Sequence, residues 1–97
     1  MTVMTAHARL RIDERGISPV DIETVLTWGR ELPVGGGARS VTLSRHAAAE
    51  LAAEGTPRSQ INALRRMAVV VAADGDVMTA LWMWRSKRSR RYRRGIR

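Results

Sequence analysis

The chain has no cysteine, no phenylalanine, one tyrosine and one lysine among its 97 residues. Without cysteine there is neither a disulfide framework nor a thiolate metal site, which fits a reducing compartment. Without phenylalanine, and with aromatics at 4%, the core must rest on Val, Leu, Ile, Met, Ala and three Trp. No stretch approaches the roughly 18–20 apolar residues of a membrane span. The opening Met1-Thr2-Val3-Met4-Thr5-Ala6-His7 lacks the basic region and apolar run of a secretory signal. These absences lead us to expect a cytoplasmic protein with no membrane partner. His7 and His46 are the only histidines, and no His-Glu-x-x-His, Gly-x-Ser-x-Gly or Gly-x-x-x-x-Gly-Lys pattern occurs, so neither a metal nor a cofactor is expected.

What the chain does have is arginine, gathered at one end. Residues 85–97 hold 8 of the 17 basic residues and no acid, which leaves 9 basic against 9 acidic groups in residues 1–84. The length suits one domain with one modest core, so we read a neutral domain over 1–84 and a basic tail over 85–97. A polyanion is the natural partner of such a tail, because each phosphate neutralised by an arginine releases condensed counterions. Arg85, Lys87, Arg88, Arg90, Arg91, Arg93 and Arg94 are the expected phosphate ligands, with Tyr92 able to stack on a base. A solvated terminus and a genome that favours arginine codons are the plain alternatives.

Residues 6–29 read as two helices meeting at a sharp corner. Gly16 suits the left-handed position just past a helix, and Ser18-Pro19-Val20-Asp21 reads as an N-cap, a first-turn proline and a first-turn carboxylate. Residues 30–43 alternate around Gly35-Gly36-Gly37, giving a hairpin whose first arm, carrying Pro33, suits an edge. Ser44 is placed to cap a third helix with Ala47, Ala48, Leu51 and Ala52 on one face, and Thr56-Pro57 opens a short helical segment to about Arg66. The strands 67–73 and 76–84 are joined by Asp74-Gly75, the signature of a type I′ turn. Both strands are apolar on both faces, so they are expected at the centre of the sheet. Alternation puts Trp82 and Trp84 on one face and Val77, Thr79, Leu81 and Met83 on the other. The expected class is α+β: a helical hairpin and a middle helix on a small, mostly antiparallel four-stranded sheet.

His7, Arg11 and Arg15 recur every four residues, so one helical face can present an imidazole and two guanidinium groups. Cleavage of RNA by its 2′-hydroxyl needs a base, an acid and cations for the phosphorane charge, and these groups meet those needs. Alternatively, His7 decorates the first turn while Arg11 and Arg15 pair with Asp13, Glu14 or acids of the second helix. Trp82 and Trp84, running into the arginine tract, offer stacking platforms beside phosphate ligands, or else a packed face that binds a second copy.

The pattern His7-x7-Arg15-Gly16-Ile17-Ser18, with Asp21 and a Val25-Leu26 helix ending at Gly29, resembles a family of short bacterial proteins of unknown function. That family closes with a Val-Val-Val strand, an Asp-Gly turn and a Val-x-Thr strand, as in Val69-Val70-Val71, Asp74-Gly75 and Val77-Met78-Thr79. The likeness covers residues 6–29 and 67–85, and residues 44–66 depart from it as an inserted helical segment. The family is similar to the RelE and BrnT toxin folds, many of which cleave RNA and pair with a cognate antitoxin. The resemblance implies a toxin-like, metal-independent endoribonuclease with an acidic antitoxin, in which His7, Arg15 and Thr79 are the matching polar residues. With Arg11 these make the expected catalytic set, although a domain without lysine departs from the usual charged set of such toxins. The competing expectation is a noncatalytic module that binds nucleic acid through its tail and dimerises through the Trp82 and Trp84 face. A third is a tail that orders on an acidic protein.

Overall fold

The computed structural model describes residues 3–83. Its elements run α1 (Ala6–Glu14), α2 (Pro19–Trp28), β1 (Arg30–Gly35), β2 (Ala38–Thr42), α3 (Arg45–Ala53), α4 (Arg58–Leu64), β3 (Met67–Val71) and β4 (Val77–Trp82). The strands form one antiparallel sheet in the order β1-β2-β3-β4. The chain is therefore α+β, with its helices on a four-stranded antiparallel sheet. Trp84 and the tail residues expected to hold phosphate lie outside the described residues.

The α1–α2 corner follows from its local chemistry. Thr5 caps α1 by accepting from the Ala8 N–H at 3.0 Å. Gly16 stands at φ 66, which lets the Ile17 N–H reach back to the Ile12 carbonyl at 3.0 Å. This Schellman closure brings Ile12 and Ile17, both buried, into one apolar cluster. Ser18 then caps α2 through the Val20 N–H, with Pro19 at the first helical position. At the other end of α2, Gly29 is required by space, since a Cβ there would clash with the Val25 carbonyl oxygen and meet Val41 Cγ1 at 2.7 Å.

All four helices feed one core on one face of the sheet, including Ile12 of α1, Val25 of α2, Leu51 of α3 and Leu64 of α4 against Val41, Met67, Val69 and Val77. Burial of each such side chain stabilises the fold by about 1.5–3 kcal/mol.

Several details differ from expectation. β4 is an edge strand, because the helices and Val3-Met4 cover what a further strand would pair with. Among the described residues its outer side carries the parallel bridge Met4↔Val77, with the Val77 N–H donating to the Val3 carbonyl at 2.9 Å, and no further strand. Pairing runs Val70↔Thr79 and then Val71↔Val77, which leaves Met78 as a bulge. Alternation reverses there, so Val77, Ala80 and Trp82 face the helices while Thr79 and Leu81 point to the opposite side. The expected grouping of Val77 with Thr79 and Leu81 is thus broken by one extra residue. Trp82, opposite Met67, packs against the chain's own core.

The turn at Asp74-Gly75 is not type I′, since no residue other than glycine has a positive φ. Gly75, at φ 95, donates to the Ala72 carbonyl, and the Asp74 carboxylate accepts from the Asp76 N–H at 3.0 Å. A tight turn followed by a left-handed glycine satisfies the backbone without placing an aspartate there. In α3, Ala52 is exposed while Ala47, Ala48 and Leu51 are buried. Pro57 rather than Thr56 stands at the N-cap of α4, with no side-chain cap bond.

Candidate nucleic-acid interface

The expected catalytic set divides between two places. Arg15, at the C-cap of α1, sends its guanidinium across the edge of the sheet, donating from Nη1 to Thr79 Oγ1 at 3.0 Å and to the Ala80 carbonyl at 2.7 Å. The Trp82 indole N–H donates in return to the Arg15 carbonyl at 3.1 Å. Arg15 and Thr79 are therefore brought together, and the bonds between them fasten the end of α1 to β4. His7 and Arg11 are exposed on the earlier turns of α1, and neither forms an ion pair with a described residue. At 1.5 Å per residue, His7 stands about 12 Å along the axis from Arg15. The alternative expectation, that Arg11 and Arg15 pair with nearby carboxylates, is not what forms among the described residues. Arg15 turns to neutral oxygens of β4 instead.

A different set of arginines converges where the last strand ends. A hollow of about 300 Å³ is lined by Arg30, Thr42, Leu43, Ser44, Arg45, Arg65 and Met83. Arg30 and Thr42 are register partners across β1 and β2. Ser44 caps α3 by accepting from the Ala47 N–H at 3.1 Å, which makes Arg45 the first residue of that helix. Arg65 is the C-cap of α4, and the Met83 N–H donates to the Arg66 carbonyl, tying the end of β4 to the end of α4.

Among the described residues no carboxylate lines this hollow, and the ion pairs there, Arg39–Glu31 and His46–Glu50, lie outside it. Three exposed arginines line this one hollow, and an oxyanion bound there would accept bidentate bonds from their guanidinium groups. The start of α3 adds its positive end to the same side. A neighbouring groove of about 350 Å³ between α3 and α4 is lined by Arg58, Asn62 and again Arg65, so the cationic surface continues along α4.

Arg30, Arg45 and Arg65 are absent from the sequence-based expectation because they lie 15 and 20 residues apart on three elements. The available clue was negative: residues 55–73 contain Arg58, Arg65 and Arg66 and no acid. His46, at the second position of α3, is taken up by Glu50 at 2.8 Å on an exposed surface. Met83, the last described residue, also lines the hollow, and in the sequence Arg85 opens the basic tail two residues later.

Comparison with protein-family models, with curated proteins and with solved structures gives no match for this chain.

Proposed function

We propose that this protein binds RNA through its phosphate backbone, with the arginine hollow as the fixed part of the interface and the tail as its extension. The observation that carries this reading is the convergence of Arg30, Arg45 and Arg65 around a hollow that no carboxylate of the described residues lines, and that is also lined by Met83, two residues before the basic tail in the sequence. A tail alone supplies nonspecific attraction. Arginines held by a strand, a helix start and a helix end supply a place where a phosphate is fixed. RNA rather than DNA is what the resemblance of residues 6–29 and 67–85 to a family similar to the RelE and BrnT toxins implies. The test is fluorescence anisotropy with labelled RNA. The combined Arg30→Ala, Arg45→Ala and Arg65→Ala variant, and separately a chain ending at Trp84, are each expected to bind at least about tenfold more weakly. Full affinity in both would overturn the reading.

A second reading, in which the bound RNA is also cleaved, rests on the exposure of His7 and Arg11 on one face of α1 without an ion-pair partner among the described residues. His7 would accept the 2′-hydroxyl proton as that oxygen bonds to phosphorus, Arg11 would hold the phosphorane charge, and the 5′-oxygen would leave as the P–O5′ bond breaks, taking its proton from the imidazolium or from water, with no metal required. An acidic antitoxin would compete with RNA for the same arginines. Induced expression followed by total RNA analysis tests this: cleavage lost in His7→Ala supports it, and cleavage unchanged in His7→Ala rules it out.

A further inference from the structure

Met83 separates two hollows of different character. On one side is the arginine hollow. On the other is a hollow of about 270 Å³ lined by Ala63, Arg66, Trp82 and Met83, largely apolar apart from one guanidinium. The consecutive Arg65 and Arg66 at the end of α4 thus fall on different sides of Met83, Arg65 in the arginine hollow and Arg66 in the apolar one. Trp82 is held in place: its ring packs against the core, its backbone pairs with Met67, and its indole N–H is bonded to the Arg15 carbonyl. It nevertheless remains only partly buried. Trp82 and Arg66 line this hollow together, and an indole and a guanidinium each have a π-face on which any base can stack, so the hollow suits one flat aromatic ring.

We infer that the two hollows form a single nucleotide site, in which a backbone phosphate lies among Arg30, Arg45 and Arg65 and its base inserts across Met83 to stack on Trp82 and Arg66. This rests on the RNA-binding reading above and narrows its ligand to single-stranded RNA with an unstacked base. Duplex RNA is disfavoured, since its bases are already paired and stacked and must be extruded before they can enter. The occupant is set by charge complementarity: the apolar slot adjoins a cationic hollow with no acid among its described residues, so a ring tethered to a phosphate suits the pair better than an apolar peptide side chain.

The inference is tested with the full chain and two probes of equal length and charge, a single-stranded oligouridine and an abasic ribose-phosphate oligomer. The oligouridine is expected to bind about tenfold more tightly, the effect of stacking one base. Arg66→Lys keeps the charge and removes the planar stacking partner, and it should shrink that preference several-fold. Trp82→Leu should shrink it further, and Arg66→Lys provides the test on a fold that keeps Trp82. Equal affinity of the full chain for both oligomers, or a preference that survives both variants, overturns the base slot while RNA binding stands. If neither oligomer binds, the RNA reading fails, and the slot with it.

Discussion

At the edge of the sheet, Arg15 gives its guanidinium donors to Thr79 and to the Ala80 carbonyl. At the end of the sheet, Arg30, Arg45 and Arg65 surround a hollow that no carboxylate of the described residues lines. The two regions use one residue type for opposite purposes. Arg15 is the arginine that a motif comparison selects, and its bonds go to holding α1 on β4. The other three belong to no motif, and tertiary structure makes them a group. Matching a residue to a motif therefore does not show whether its donors face a ligand or the protein itself. What distinguishes the cases is which oxygens lie within reach.

The most severe way to break the first region is through its apolar anchor. Ile12→Ala, at a position 2% exposed, should destabilise the fold by about 2–5 kcal/mol. For a domain of this size each kcal/mol lowers Tm by about 4–8 °C, so a thermal melt would show it plainly. Arg15→Ala should cost about 1–2 kcal/mol, less than a buried charged hydrogen bond because the guanidinium is only partly shielded. RNA affinity of the folded Arg15→Ala protein should be unchanged, and a weakened affinity with an unchanged Tm would exchange the roles of the two regions. Thr79→Val should cost about 0.5–1 kcal/mol, since the bond to Ala80 remains. Combined with Arg15→Ala it should add less than its separate effect, a coupling that chemical denaturation can measure. The smallest effect belongs to Arg39→Ala, which removes an ion pair whose side chains are 44% and 52% exposed and should change stability by less than about 0.5 kcal/mol.

Much of the first region was legible in the sequence. Gly16, Ser18 and Pro19 mark a helix end and a helix start by local rules that need no tertiary partner, and they stand where those rules put them. The α+β class was legible too, from helical periodicity giving way to the β-rich runs at 67–73 and 76–84. The bulge at Met78 was not, because a bulge belongs to the pairing of two strands, and nothing in Val77-Met78-Thr79 alone shows which residue lacks a partner. The same limit hid the position of β4. Its apolar residues suggest a central strand, whereas its outer side is closed by Val3, Met4 and the end of α1. The arginine hollow was the least legible feature, since its members converge only after β1 pairs with β2 and α4 returns the chain to β3.

The salt dependence of RNA affinity tests the division of labour most directly. Each phosphate contact to a single strand contributes about 0.7 to the slope of log affinity against log salt. Against the full chain, the combined Arg30→Ala, Arg45→Ala and Arg65→Ala variant should lose about 2 from the magnitude of that slope, while Arg15→Ala should lose none. A slope unchanged in the triple variant, or reduced in Arg15→Ala, would contradict the assignment of phosphate binding to the hollow and of fastening to Arg15.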